Sequence, residues 1–253
     1  MTDHRPIRRA ALALLAAAAL GGCAVFRTPP PVTVETAYAQ GMEAYQAGRY
    51  RRAAELLSQF VSSTGADPRL KGALMAMARS HLETREYVTA ASEFLRVATE
   101  FPSDPEAAEA RFGLCQAYHS LAPRPQLDPE YTSAAITYCE SYASIYPGTP
   151  QAQQSLAWVT ELRGRLGEKQ YQNGFFYFRR GLYDAAVVYF NDVLTVYPDT
   201  PSAPAALLRL VEAYGRMGYR EEETAARERL LRDYPQSPQA ASLAAPPADS
   251  AGR

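Results

Sequence analysis

The sequence predicts an all-α fold, a right-handed superhelix or solenoid of about five stacked helix pairs. Three observations predict it. First, apolar residues recur at helical spacing. Between positions 183 and 197, Tyr183, Ala186, Val187, Phe190, Val193, Leu194 and Tyr197 share one helical face and do not alternate as a strand would. Second, an aromatic–Pro punctuation recurs, at Phe101-Pro102-Ser103-Asp104-Pro105, Tyr146-Pro147-Gly148-Thr149-Pro150, Tyr197-Pro198-Asp199-Thr200-Pro201 and Tyr234-Pro235-Gln236-Ser237-Pro238. The first Pro of each stops a helix, and the second opens the next behind a capping residue, so Thr200 reads as an N-cap with Pro201 at the first helical position. Third, an Ala stands twelve residues before the first Pro in three copies, at Ala90, Ala135 and Ala186. A unit of about 34 residues with a small residue early in its second helix and a closing Pro is the tetratricopeptide pattern.

The amino terminus is a targeting segment. Arg5, Arg8 and Arg9 precede an apolar run over residues 10–20, too short to cross a bilayer but suited to a secretory signal peptide. The run ends in Leu20-Gly21-Gly22-Cys23, which resembles the bacterial lipoprotein signal. That resemblance implies cleavage after residue 22 and a covalent diacylglycerol and fatty acid on Cys23. The mature chain would then be anchored to the lipid bilayer rather than inserted through it. Ala24, which is not Asp, implies the outer membrane. Residues 23–34, with Pro29-Pro30-Pro31, read as the lipidated Cys and a stiff Pro-rich tether.

The array occupies residues 35–239, with repeats at about 35–68, 71–102, 105–147, 150–198 and 205–235. In the first, Gly41, Gly48, Tyr50, Ala53, Leu57 and Phe60 fall on the helix-pair template, with Ala47-Gly48-Arg49 as the turn. The second has Ala78 in its first helix, but Thr84-Arg85-Glu86 replaces the turn Gly. The third is interrupted by a Pro-rich stretch at 122–129 that cannot be helical throughout. The fourth has a long first helix over residues 151–180, expected to brace repeats three and four. Gly174 and Ala186 there are expected to let its two helices approach closely. The fifth carries Glu223 where Ala is expected, a degenerate terminal unit. Residues 240–253 are small, polar and Pro-containing, and read as a disordered tail.

Several function classes are excluded. The formal net charge of −1 gives nucleic acid no electrostatic footing. Three Cys and three His without ligand spacing suggest no metal site and no bound cofactor. No nucleophile–base pair, phosphate loop or carboxylate dyad is recognisable, so the chain does not read as an enzyme. His81 and His119 read as surface or packing residues. Cys115 and Cys139, one on each helix of repeat three, fit either a disulfide or a pair of buried thiols.

Candidate binding residues come from the helix positions that line the concave face of a helix-pair superhelix. These are Tyr38, Met42 and Tyr45 in repeat one, Met75, Arg79 and Leu82 in repeat two, and Tyr171, Phe175 and Phe178 in repeat four. Aromatics, Met and one Arg suit an extended or helical apolar peptide. The competing reading is that neighbouring helices cover these positions.

Signal peptide, lipid-type Cys, tether and five helix pairs together resemble the BamD/ComL family of outer-membrane protein assembly lipoproteins. The most specific stretch is residues 166–202, where Glu168-Lys169, Tyr171, Phe176-Tyr177, the turn and helix start from Gly181 to Ala186, and Tyr197-Pro198-Asp199-Thr200 follow the family pattern. The Tyr146-Pro147-Gly148-Thr149 copy and Asp128-Pro129 match too, whereas residues 58–67 depart from the aromatic–Pro ending. The resemblance implies a non-enzymatic subunit on the periplasmic face of the outer membrane. Its amino-terminal repeats would receive unfolded outer-membrane proteins. Its carboxy-terminal repeats would dock on the periplasmic domains of the central β-barrel assembly subunit. The helix pairs alone fit equally a different lipoprotein scaffold, a secretin pilot or a cell-wall or division coordinator.

Overall fold

A computed structural model describes residues 33–122 and 130–244. The expectations for the signal peptide, for Cys23 and the tether up to residue 32, for positions 123–129 and for 245–253 lie outside the described residues. Among the described residues the chain is an all-α helical repeat array. Its pairs are α1 (Val34–Gln46) with α2 (Tyr50–Ser63), α3 (Leu70–Glu83) with α4 (Tyr87–Glu100), and α5 (Glu106–Leu121) with α6 (Glu130–Ile145). Then come α7 (Pro150–Arg179) with α8 (Tyr183–Val196), α9 (Ser202–Met217) with α10 (Arg220–Asp233), and a short α11 (Pro238–Ala244).

Cap chemistry explains the starts. Thr33 and Thr36 form a reciprocal box at α1, the Thr33 hydroxyl accepting from Thr36 N at 3.2 Å and the Thr36 hydroxyl from Thr33 N at 2.8 Å. At α7 the Thr149 hydroxyl accepts from Ala152 N at 3.1 Å, with Pro150 in the first turn. The parallel expectation at Thr200 fails. Pro201 is itself the N-cap of α9, and the Thr200 hydroxyl donates back to Tyr197 O at 2.8 Å. The reason is packing: the Thr200 side chain fills the space above Gly167, where an added Cβ would meet its Oγ1 at 2.7 Å.

The intra-pair turns need a left-handed residue. Gly48, Gly181 and Gly218 supply it with φ of 70°, 74° and 80°. The second pair, lacking Gly, forces Arg85 to φ 65° in the same role.

Two large cores form. One joins α1–α5 around Phe60, Leu57, Leu74, Met75, Phe94 and Val97; the other joins the end of α7 to α8–α11 around Phe190, Val193, Leu207, Leu210 and Leu230. Between them lies a smaller cluster of Cys115, Cys139 and Val159, against which Ile136 and Trp158 pack. Cys115 and Cys139 are joined in a disulfide with Cα atoms 4.8 Å apart, which settles the alternative left open by their spacing. Helix α7 has 30 residues, roughly 45 Å. Its first half packs by Val159 and Trp158 on the disulfide of pair three, and its last turns enter the carboxy-terminal core through Phe178, so it does brace the two pairs.

One detail corrects the sequence reading and two refine it. Gly174 does let α7 and α8 approach closely, with Phe190 over it: an added Cβ would lie 2.7 Å from the Phe190 ring. The tail expected to be disordered from residue 240 begins as helix α11, because Ala240 is 2% exposed and inserts into the carboxy-terminal core. Glu223, in the slot of a small residue, is accommodated because Gly215 stands opposite, its would-be Cβ 3.4 Å from the Glu223 carboxyl.

Candidate protein-binding surface

In the amino-terminal half, the repeat geometry brings Tyr38, Met42, Tyr45, Met75 and Leu82 against one core. Few of them stay open. Tyr38 is half-buried, its ring 5.0 Å from Phe60 and 5.0 Å beneath the Arg69 guanidinium. Arg69 is itself clamped, donating from Nε and Nη2 to Asp67 at 3.0 and 2.8 Å and from Nη1 to Glu35 at 2.8 Å. Those side-chain bonds to Arg69 hold the Asp67 carboxyl down at about 2. Tyr45 leans on Tyr50 with ring centres 6.1 Å apart.

Arg79 donates from Nε to Glu109 of α5 at 2.6 Å, and Tyr45 of α1 interacts with the same guanidinium. One polar line therefore crosses the first helices of three successive pairs. Met75 must be withdrawn as a binding residue. It is 1% exposed, because α3 is covered on both sides by its neighbours and turns its middle into the core.

In the carboxy-terminal half, Tyr171, Phe175 and Phe178 form a stacked row along α7. Successive centroids lie 6.0 and 6.4 Å apart, at interplanar angles of 7° and 12°. Arginines of α9 cover the row. Arg209 lies 5.1 Å from the Phe175 ring and 5.6 Å from Phe178, and donates to the Tyr171 hydroxyl at 3.4 Å. Arg216 lies 5.6 Å from Phe178 and donates to the Tyr183 hydroxyl at 3.0 Å. Phe178 is consequently 8% exposed and is not available to a partner, a second correction. Its burial follows from stacking: helix pair five lies across the face that pair four alone would leave bare.

Of the surface that remains open, only Phe175 was singled out in the sequence. A cavity of about 560 Å3 opens beside the row, lined by Gln172, Phe175, Phe176, Arg179 and Arg180. Phe175 belongs to both the row and the cavity. Phe176 is 52% exposed, and the Arg180 guanidinium lies 3.5 Å over its ring. Neither Arg179 nor Arg180 has a carboxylate partner among the described residues. The site thus combines two aromatic rings with two arginines and a glutamine, suited to a protein surface offering an apolar side chain beside an acidic one. The signal that could have found it was the adjacency of Arg179-Arg180 to the aromatic run just before the turn Gly.

The described residues hold no cluster of His, Cys, Asp and Glu able to bind a metal, and no described helix is long and apolar enough to cross a membrane.

Comparison with known proteins adds family information to this geometry. A family described as outer membrane lipoprotein, YfiO, matches residues 30–230. A relative from Caulobacter vibrioides, the outer membrane protein assembly factor BamD, is 24% identical over 215 residues, covering 83% of this chain and 70% of that protein. Among solved structures, a kinesin light chain of Podospora anserina with tetratricopeptide-like repeats is 18% identical over 84% of this chain and 97% of its own, with a TM-score of 0.37. A thermophilic tetratricopeptide protein of Thermus thermophilus is 22% identical over 83% of this chain and 99% of its own, with a TM-score of 0.33.

Proposed function

The chain belongs to the YfiO family of outer membrane lipoproteins, and from that membership we propose that it is a lipid-anchored subunit of the outer-membrane β-barrel assembly machinery. The observation that carries this reading is the family match itself, which runs through all five helix pairs. Cys23 bears the diacylglycerol and fatty acid and holds the array at the periplasmic face. The amino-terminal pairs, with Tyr38, Met42, Tyr45, Arg79 and Leu82 half-buried along the first helices, receive unfolded outer-membrane proteins. The cavity at Phe176 and Arg180 docks a periplasmic domain of the central barrel subunit. The chain performs no bond chemistry; handover from one partner to the other requires only differential affinity.

Mild-detergent pull-down of the full chain tests the proposal. Recovery of a large β-barrel protein with soluble periplasmic modules is expected. Recovery of a secretin or a peptidoglycan synthase in its place overturns it. Fractionation of Cys23→Ser tests the anchor: the unlipidated chain should leave the membrane once the barrel partner is removed, and its retention there refutes the lipid as anchor.

A further inference from the structure

One titratable cluster is used by neither core nor candidate surface. At the end of α3, His81 Nδ1 lies 2.8 Å from Glu86 of the intra-pair turn, and His81 Nε2 lies 3.5 Å from Oε1 of Glu93 on α4. The Glu93 side chain is 12% exposed, and its second oxygen, Oε2, is fully buried with no hydrogen-bond partner. An ionised carboxylate in that position would leave a lone charge facing apolar packing.

Charged neighbours relieve it only in part. Arg96, one turn on, is drawn to Glu100 at 2.7 Å. The α5 face packed on this core carries Ala110, Leu114 and Ala117, none of them ionisable; Tyr118, at its edge, stacks on Tyr138. Of the other ionisable groups of α5, Glu106 at its start acts on Lys71, Glu109 pairs with Arg79, Arg111 binds the Tyr146 hydroxyl, and His119 stacks on Trp158. Burial first, and the Glu86 charge second, push the Glu93 carboxyl up to about 8, with Arg96 opposing.

We propose that His81, Glu86 and Glu93 form a proton-holding latch that ties the end of α3 to α4 and loosens as pH rises. In the latch the His81 ring holds Glu86 through Nδ1, while the carboxyl of Glu93 faces Nε2 across 3.5 Å. The proton that matters is the one Glu93 keeps. Losing that proton leaves buried negative charge with no donor to Oε2. The latch adjoins Leu82 and stands two residues from Arg79, so its opening slackens the part of α3 assigned above to partner contact. In a stacked array such local loosening stays within the pair and its neighbours.

The sign is fixed by the raised carboxyl. Between the unfolded value near 4.5 and the folded value near 8 the folded chain holds more protons than the unfolded one, so stability falls as pH rises through that window and levels off above it. Urea unfolding of the full chain at pH 6 and pH 8.5, in parent and Glu93→Gln, tests this. The parent's folding constant should fall on the order of tenfold to a hundredfold more than the variant's across that interval. Carbon-13 NMR of the Glu93 carboxyl in the unmodified chain gives a second reading, independent of whether the variant folds. A midpoint well above the ordinary glutamate range is expected. Parallel pH profiles for the two proteins, or an ordinary Glu93 midpoint in the unmodified chain, overturn the proposal.

Discussion

Reduction of the Cys115–Cys139 disulfide should weaken the third helix pair by several kilocalories. The two cysteines are 24 positions apart and both lie fully buried where α5 meets α6. Closing a loop of about 25 residues removes unfolded-state entropy worth about 3.5 kcal/mol at 25 °C. The sequence between the helices, with Pro123, Pro125 and Pro129, has no Gly turn like those at Gly48, Gly181 and Gly218, and the disulfide adds a covalent tie between the two helices. The chain's one tryptophan provides the assay. Trp158 stacks on Phe112 at 5.7 Å and on His119 at 4.5 Å, and packs against the disulfide cluster. Its fluorescence therefore reports unfolding of this pair. With a urea m-value of about 2.5 kcal/mol/M, the fluorescence midpoint should drop by about 1.4 M on adding reductant. Coincident midpoints with and without reductant would refute the entropic argument. Alkylation of Cys115 and Cys139 in unreduced, unfolded protein would refute the bond itself.

Three further outcomes follow from single contacts. Arg85→Gly should stabilise the chain by about 0.5–1 kcal/mol, read as a raised midpoint in urea, because a left-handed Arg is strained by roughly 1–2 kcal/mol and Gly returns part of that as unfolded-state entropy. Gly174→Ala should cost about 1–3 kcal/mol, since its Cβ would sit 2.7 Å from an aromatic ring held at 0% exposure; an unchanged melting temperature would show that α7 and α8 can part without penalty. Phe176→Ala combined with Arg180→Glu should abolish co-purification of the barrel partner while leaving the circular-dichroism melt within about 0.5 kcal/mol of the parent, because both side chains are exposed; retained co-purification would place that contact elsewhere.

The array was legible because its rules are local. Helical spacing, a turn residue and a capping Thr act over a few positions, so Gly48, Gly181 and Thr149 announced their roles in the sequence and perform them in the structure. Where local rules met tertiary packing, packing won. Thr200 gave up its capping role to fill the gap above Gly167, and Ala240 folded into a helix because an apolar core was there to receive it.

The site was harder to read for the same reason. Concave-face register correctly grouped Tyr171, Phe175 and Phe178 as a row, but whether a row is open depends on the next pair along. Here that pair begins with α9, whose Arg209 and Arg216 lie more than thirty residues downstream and close over it. An array that stacks by repeat period thus consumes most of its own aromatic faces. Arg163 reaches Asp199, Lys71 reaches Asp104 and Tyr234 reaches the carbonyl of Pro198, each from one repeat to the next. What is left for a partner is whatever that stapling misses. On α7 this is the adjoining face at Phe176, with two arginines that no carboxylate of the described array pairs, a charge pattern that would favour an acidic partner there.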